Sequence, residues 1–137
     1  MSELTFKEII SQVEKFHNSF GVKNNYSPTV SLETEEIELR HRLMAEENSE
    51  YLEAAKNNDL VEVADALGDM LYILCGTILK HGMQDVITSV FEEIQRANMS
   101  KLDENGKPIY REDGKVMKGA NYKAPNIEEV LLNYTKK

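Results

Sequence analysis

Cysteine occurs once in these 137 residues, at position 75, so an internal disulfide is excluded. A charged-then-apolar leader is missing as well, and the two absences make the cytoplasm the expected location. Long hydrophobic runs are lacking. The most apolar stretch, Met70 to Leu79, has about half of the roughly 20 residues that a membrane span needs, and it contains a glycine and a threonine. It reads as a core helix, with no membrane as partner. Positive charge is also short: 16 Lys and Arg against 24 Asp and Glu leave a formal net charge of −8, which repels polynucleotide backbone and anionic lipid. Nucleic acid is therefore not an expected partner. Repeats, low-complexity tracts and linkers are absent too, and the length suits one domain spanning 1–137.

What is present is an ordinary globular composition, 41% hydrophobic and 29% charged, arranged with helical period. From Glu3 to Phe20 the residues Leu4, Phe6, Ile9, Ile10, Val13, Phe16 and Phe20 recur at helical spacing, Thr5 and Glu8 are placed as a capping box, and Gly21 as a stop. "VKNNYSPTVS" has no period and reads as a loop. A second helix is expected from Leu32 to Lys56, and a third from an Asp59 cap to Lys80, closed by His81-Gly82. Asp85 is placed to cap a fourth helix ending near Asn98. Between Lys101 and Pro125 the turns "DENGK" and "REDGK" flank the short piece "PIY", predicting a long loop or small hairpin. Asn126 and Glu129 then cap a short terminal helix, "IEEVLLNY". The expected class is all-α: a bundle of four main helices, an irregular loop or hairpin, and a short C-terminal helix.

Apolar residues cover nearly the whole circumference of the third helix, which predicts a central helix surrounded by others. Against that background its acids stand out. Glu62, Asp65 and Asp69 fall within about 60° of one another on the helical wheel. On the second helix Glu46, Glu47 and Glu50 interleave with Leu39, Leu43 and Ala54. Taken singly, Glu62 reads equally as the return partner of an Asp59 capping box, and Glu46, Glu47 and Glu53 as a solvated face. Asp65 and Asp69, inside an apolar helix, have no such reading. Buried carboxylates repel one another and need a compensating charge, for which Arg40 and Arg42 are too few. Oxygen donors without His or Cys point to a hard divalent cation, Mg²⁺ first, which keeps waters and accepts phosphates as further ligands.

These residues carry a resemblance. "EENSE" followed by "EVAD" resembles the E-x-x-E then E-x-x-D signature of the all-α nucleoside triphosphate pyrophosphohydrolases, the superfamily of MazG, dimeric dUTPases and phosphoribosyl-ATP pyrophosphohydrolases. "VEKFHNSFG", "LRHRLMAEE", "DALGDMLYILCGT" and "FEEIQRANMSKLDENGKPI" extend the likeness to the single-domain MazG-like branch over nearly the whole chain. The likeness maps Glu47, Glu50, Glu62 and Asp65 onto the metal ligands, with Glu46 as the preceding acid. In MazG and the phosphoribosyl-ATP enzymes the last acid directly precedes an "LLY"-like run, which here selects Asp69 and leaves Ala66 where a glutamate belongs. The lettered frame keeps Glu62 and Asp65, with Asp69 as a further ligand or supporting acid.

The resemblance implies Mg²⁺-dependent hydrolysis, with Mn²⁺ as a substitute, of a nucleoside triphosphate to monophosphate and pyrophosphate, including house-cleaning of nonstandard nucleotides. Either Glu46 or Glu47 is then the base acting on water. Asn98, Lys101, Lys115, Lys118 and Tyr122 are the candidates for holding the substrate, although lysines on turns are more often simply solvated. Phe16 and Phe20 could meet a base but read more readily as core, and His17 reads as structural. A homodimer or a tetramer of dimers is expected, since the apolar third helix needs more cover than four short helices supply. Two rival readings are a phosphoribosyl-ATP-type substrate and a noncatalytic helical oligomer that binds metal or nucleotide.

Overall fold

The structure is a computed structural model and describes residues Glu3–Thr135. Within them the chain forms five helices and one two-stranded hairpin, divided into two compact units that meet in sequence between Gln84 and Asp85. The first unit holds α1 (Phe6–Ser19), α2 (Thr34–Lys56) and α3 (Leu60–Lys80). The second holds α4 (Ile87–Met99), β1 (Ile109–Tyr110), β2 (Val116–Met117) and α5 (Ile127–Thr135). The all-α class is as the periodicity predicts.

Local chemistry accounts for most of the boundaries. The Thr5 hydroxyl accepts from the Glu8 amide while the Glu8 carboxylate returns to Thr5, closing the capping box. Helix α1 therefore starts at Phe6, as that box predicts. Helix α2 starts at Thr34 rather than Leu32, with no side-chain cap. The turn between α2 and α3 takes two residues beyond Lys56 because Asn58 adopts φ 55°, a left-handed conformation that asparagine tolerates, and Asp59 then caps α3 by accepting from the Glu62 amide. Asp85 does not cap α4. That helix begins only at Ile87, after an uncapped Val86, because residues up to 86 are spent in turns. In the second unit Ile109 pairs with Met117 and Tyr110 with Val116, and the Asn126 carboxamide caps α5 through the Glu129 amide.

The loop between α1 and α2 is tied to the last turn of α3, whose terminal carbonyls lack partners within the helix. The Asn25 amide donates to Leu79 O at 2.9 Å and its side chain to Lys80 O at 2.6 Å, while the Thr29 amide donates to His81 O at 2.9 Å. Gly82 is required where this loop crosses: its φ is +66°, and a Cβ there would stand 2.2 Å from Ser27 O. Lys80 is buried as well, donating to Lys23 O at 2.7 Å and pairing with Glu36 at 3.2 Å.

Helices α2 and α3 run antiparallel along one seam. Contacts fix the register: Glu36 meets Lys80, Arg40 meets Thr77 and Ile73, and the Asp59 amide donates to Ala54 O. His17 packs on the same helix from α1. It is buried, as expected of a structural histidine, and its Nδ1–H donates to Asn24 Oδ1 at 2.6 Å. Burial, opposed by that hydrogen bond and helped by the charges of Arg40 and Lys80, holds its pKa below the usual histidine value.

Within the single chain α3 is not surrounded, as the expected need for more cover than these helices supply implies. Leu67, Leu71 and Leu74 are exposed, Leu67 at 51%, because within the chain α1 and α2 cover only part of its circumference. The fully enclosed residues are few and small: Val13, Cys75, Leu79 and Val86 are the largest among the described residues. Phe16 and Phe20, read as core, are exposed too, at 42% and 70%.

Gly76 is where α1, α2 and α3 converge. A Cβ there would lie 2.5 Å from Arg40 Nη2 and 3.0 Å from His17 Nε2, and Arg40 is pinned by its bonds to Ile73 O (2.8 Å) and Thr77 Oγ1 (3.0 Å). Gly76→Ala is accordingly expected to destabilise the protein by about 1–3 kcal/mol despite the higher helix propensity of alanine. Urea unfolding of the two proteins checks this, and an alanine variant of equal or greater stability would refute the packing argument.

Candidate functional site

Seven residues along the α2–α3 seam from Arg40, two turns on, Glu47 comes to the same face of α2. The polarity of the seam reverses there. Glu47 is half-buried, and its Oε2 is shut from solvent with no hydrogen-bond partner. Burial first, then the close approach and charge repulsion of Glu50, then repulsion from Asp69 and Asp65, push its pKa above the usual carboxylate range. Four carboxylates from two helices therefore converge around one poorly solvated oxygen. Arg40, proposed above as a counter-charge, is spent on Thr77 and Ile73 and pairs with none of them. An unpartnered buried oxygen of this kind needs an explanation in a folded protein.

Glu50, Glu62 and Asp65 are exposed and Asp69 is half-buried, so the third helix carries its acids on an open stripe rather than in a sealed core. Glu62 does not return to the Asp59 amide as a capping box would require. Instead it lines a hollow of about 320 Å³ together with Glu50, Glu53, Ala54, Asn57 and Asp59, where α2 turns into α3. Glu53 and Asp59 thus join the acidic surface next to Glu50. The sequence signal for Glu53 was its three-residue spacing from Glu50, which a solvated face explains equally well. Glu46 is exposed, one residue from the seam. Among the described residues, no three His, Cys, Asp or Glu side chains stand at ligating distance from a common point. Closing this group on an ion would require the exposed acids to change rotamer.

The candidate substrate residues all belong to the second unit. Asn98 lies in the last turn of α4 and Lys101 in the turn beyond it. Lys101 O accepts from the Gly119 amide at 2.9 Å, and the Lys118 ammonium lies 4.8 Å from the centre of the Tyr122 ring, a cation–π contact. Lys101, Lys118 and Tyr122 thus share one neighbourhood, whereas Lys115 sits exposed on the hairpin. Sequence reasoning missed what anchors this unit. The Glu93 carboxylate pairs with Arg96 at 2.7 Å and accepts from the Asn126 amide at 2.7 Å, which lowers its pKa to about 2. Arg96 also donates to the carbonyls of Lys123 and Ala124.

A sequence model of phosphoribosyl-ATP pyrophosphohydrolase matches residues 13–98, which include every acid of the seam. The chain belongs to the phosphoribosyl-ATP pyrophosphohydrolase family. A crystal structure from Exiguobacterium sp. 255-15, provisionally described as an NTP pyrophosphohydrolase, is similar to this member in fold, with a TM-score of 0.54 at 24% identity over 98% of each chain. No curated protein matches the sequence significantly.

The raised Glu47 value has a stability consequence. In the metal-free protein the folded state holds a proton that the unfolded state has already released, between the unfolded and folded values. Stability from this group is therefore present at low pH and lost as pH rises through the raised value. Glu47→Gln is expected to melt at a higher temperature than the metal-free parent at pH 7 to 8, and at nearly the same temperature near pH 4. Thermal melts in chelator at both pH values check this, and a variant less stable at neutral pH would contradict the repulsion argument.

Proposed function

We propose that this family member hydrolyses a nucleoside triphosphate to the monophosphate and pyrophosphate, with Mg²⁺ as cofactor and Mn²⁺ as a substitute. The observation that carries the reading is the Glu47 oxygen, enclosed and unpartnered among Glu50, Asp65 and Asp69. Its donors are all hard carboxylate oxygens, the set that Mg²⁺ selects. Glu47, Glu50, Asp65 and Asp69 would hold the ion, with Glu62 able to join from the Glu50 side. Mg²⁺ bound there would neutralise phosphate charge and orient the attacking water.

Around that centre the chain's own residues take separate roles. Because the enclosed Glu47 is the group most in need of a cation, it serves as ligand, and the exposed Glu46 beside it accepts the proton of the attacking water. In the second unit Lys101, Lys115, Lys118 and Asn98 remain the candidate donors to phosphate oxygens, with Tyr122 as a candidate aromatic face, on the strength of the resemblance. The family name favours phosphoribosyl-ATP as the alternative substrate, which would be cut at the same kind of linkage. Clearing of nonstandard nucleotides is the physiological use that suits the reaction.

A homodimer, alone or doubled into a tetramer, is part of the same proposal. Leu67, Leu71 and Leu74 lie on the side of α3 opposite Asp69, so a second copy can cover them without closing the acidic stripe. Leu71→Glu is expected to shift the protein to monomer in sedimentation equilibrium, and unchanged mass would place the contact elsewhere.

Asp69 acts on Glu47 more strongly than Asp65 does and is the less exposed of the two. Asp69→Asn is therefore expected to weaken Mg²⁺ binding by about 10–100-fold, and by more than Asp65→Asn. The reverse order in calorimetric titrations would return the ligand role to the lettered frame.

Product analysis in isotope-labelled water tests the reaction itself. Attack at the α phosphorus puts the label in the monophosphate and releases pyrophosphate in equal amount. Label confined to pyrophosphate would mean attack at the β phosphorus, and orthophosphate as the primary product would refute the proposal.

A further inference from the structure

We propose that the exposed rings of Phe16, Phe20 and Tyr72 form the platform on which the nucleobase stacks, an inference that rests on a nucleotide being the substrate. The rings form one cluster across α1 and α3. Phe16 and Phe20 lie 4.4 Å apart with their planes tilted by 33°, and Tyr72 meets Phe16 edge-on at 5.6 Å and 88°. All three face solvent, Phe20 at 70% and the other two at 42%. Phe and Tyr together number only ten in the sequence, so three clustered in water on one surface is a concentrated use of apolar area.

The position of the cluster identifies its occupant. Tyr72 follows Asp69 by three residues, one turn along α3 and about 60° around it, so rings and carboxylates are neighbours on a single helix. Asp69 faces Glu47 on the α2 side, and Tyr72 faces Phe16 on the α1 side. A nucleotide has the same polarity, with a flat aromatic base at one end and a metal-binding phosphate chain at the other. The rival occupant is a second copy of the chain, but the leucines offered for that contact point elsewhere. Leu67, Leu71 and Leu74 each lie about 100° or more around α3 from Tyr72. Stacking tolerates any base, because every base presents a π face.

The chain has no tryptophan, so Phe20→Trp supplies a single emission reporter at the most exposed of the three positions. Adenosine, guanosine, cytidine and uridine monophosphates are added one at a time with Mg²⁺, and ribose 5-phosphate serves as the base-free control. At least one monophosphate is expected to quench the emission saturably while ribose 5-phosphate does not. Adding Tyr72→Ala to the reporter protein, with helicity checked by circular dichroism, should weaken that binding by about tenfold. If Tyr72→Ala loses helicity, Tyr72→Leu replaces it in the same titration. Quenching by ribose 5-phosphate, no response to any monophosphate, or an unchanged dissociation constant in the Tyr72 variant overturns the proposal. So does emission that changes with protein dilution instead of nucleotide, which would assign the rings to a subunit contact. Pyrophosphate release by the unmodified protein is measured in parallel: release without a ring response sinks only the stacking platform, and a ring response without release sinks only the hydrolysis.

Discussion

Helix α3 runs back along α2 after the short turn at Asn57–Asp59, held there by the contacts of Lys80 and Arg40, and the arrangement of the acids follows from that pairing. At one end of the seam the contacts are attractive: Lys80 meets Glu36, and Arg40 binds the Ile73 carbonyl and the Thr77 hydroxyl. At the other, Glu47 carries the combined charge repulsion of Glu50, Asp69 and Asp65. The attractive half holds the repulsive half in place. A locally unfavourable arrangement is thus stabilised by packing elsewhere, as a candidate site on such a scaffold requires.

The fold was largely legible in the sequence because its signals are local. A capping box at Thr5, an aspartate cap at position 59, turn residues around "PIY" and an asparagine cap at position 126 all act within a few residues, and all four occur, the cap at 59 without the return bond from Glu62. Asp85 failed as a cap for a matching reason: capping spacing is necessary but says nothing about whether the preceding chain has finished turning. The site was legible as a set of acids and obscure in its pairing. A wheel puts Glu62, Asp65 and Asp69 on one stripe, but only the register against α2 separates the pair that confronts Glu47 from Glu62, which faces the hollow beside Glu50. Burial was the weakest reading. Apolar residues all round α3 imply neighbours all round it, and the single chain leaves the leucine side in water for other cover.

The partial cover of α3 goes with a small core. The completely enclosed side chains are modest, and the three-helix unit supports its charged groups with hydrogen bonds as much as with apolar burial. Lys80, His17 and Arg40 each end on backbone or side-chain oxygens instead of open solvent. Polar groups enclosed in this way stabilise one arrangement over others, because any shift of register would leave several of them unsatisfied at once.

Cys75 lies inside this framework, fully enclosed, with its thiol pushed by burial toward the protonated form. Two barriers therefore guard it from alkylating reagents: the sulfur cannot be reached, and little of it is thiolate. Reaction must wait until α3 separates from its neighbours. The one sulfhydryl of the chain is thus a built-in clock for breathing of the central helix, its rate of modification tracking how often the seam opens.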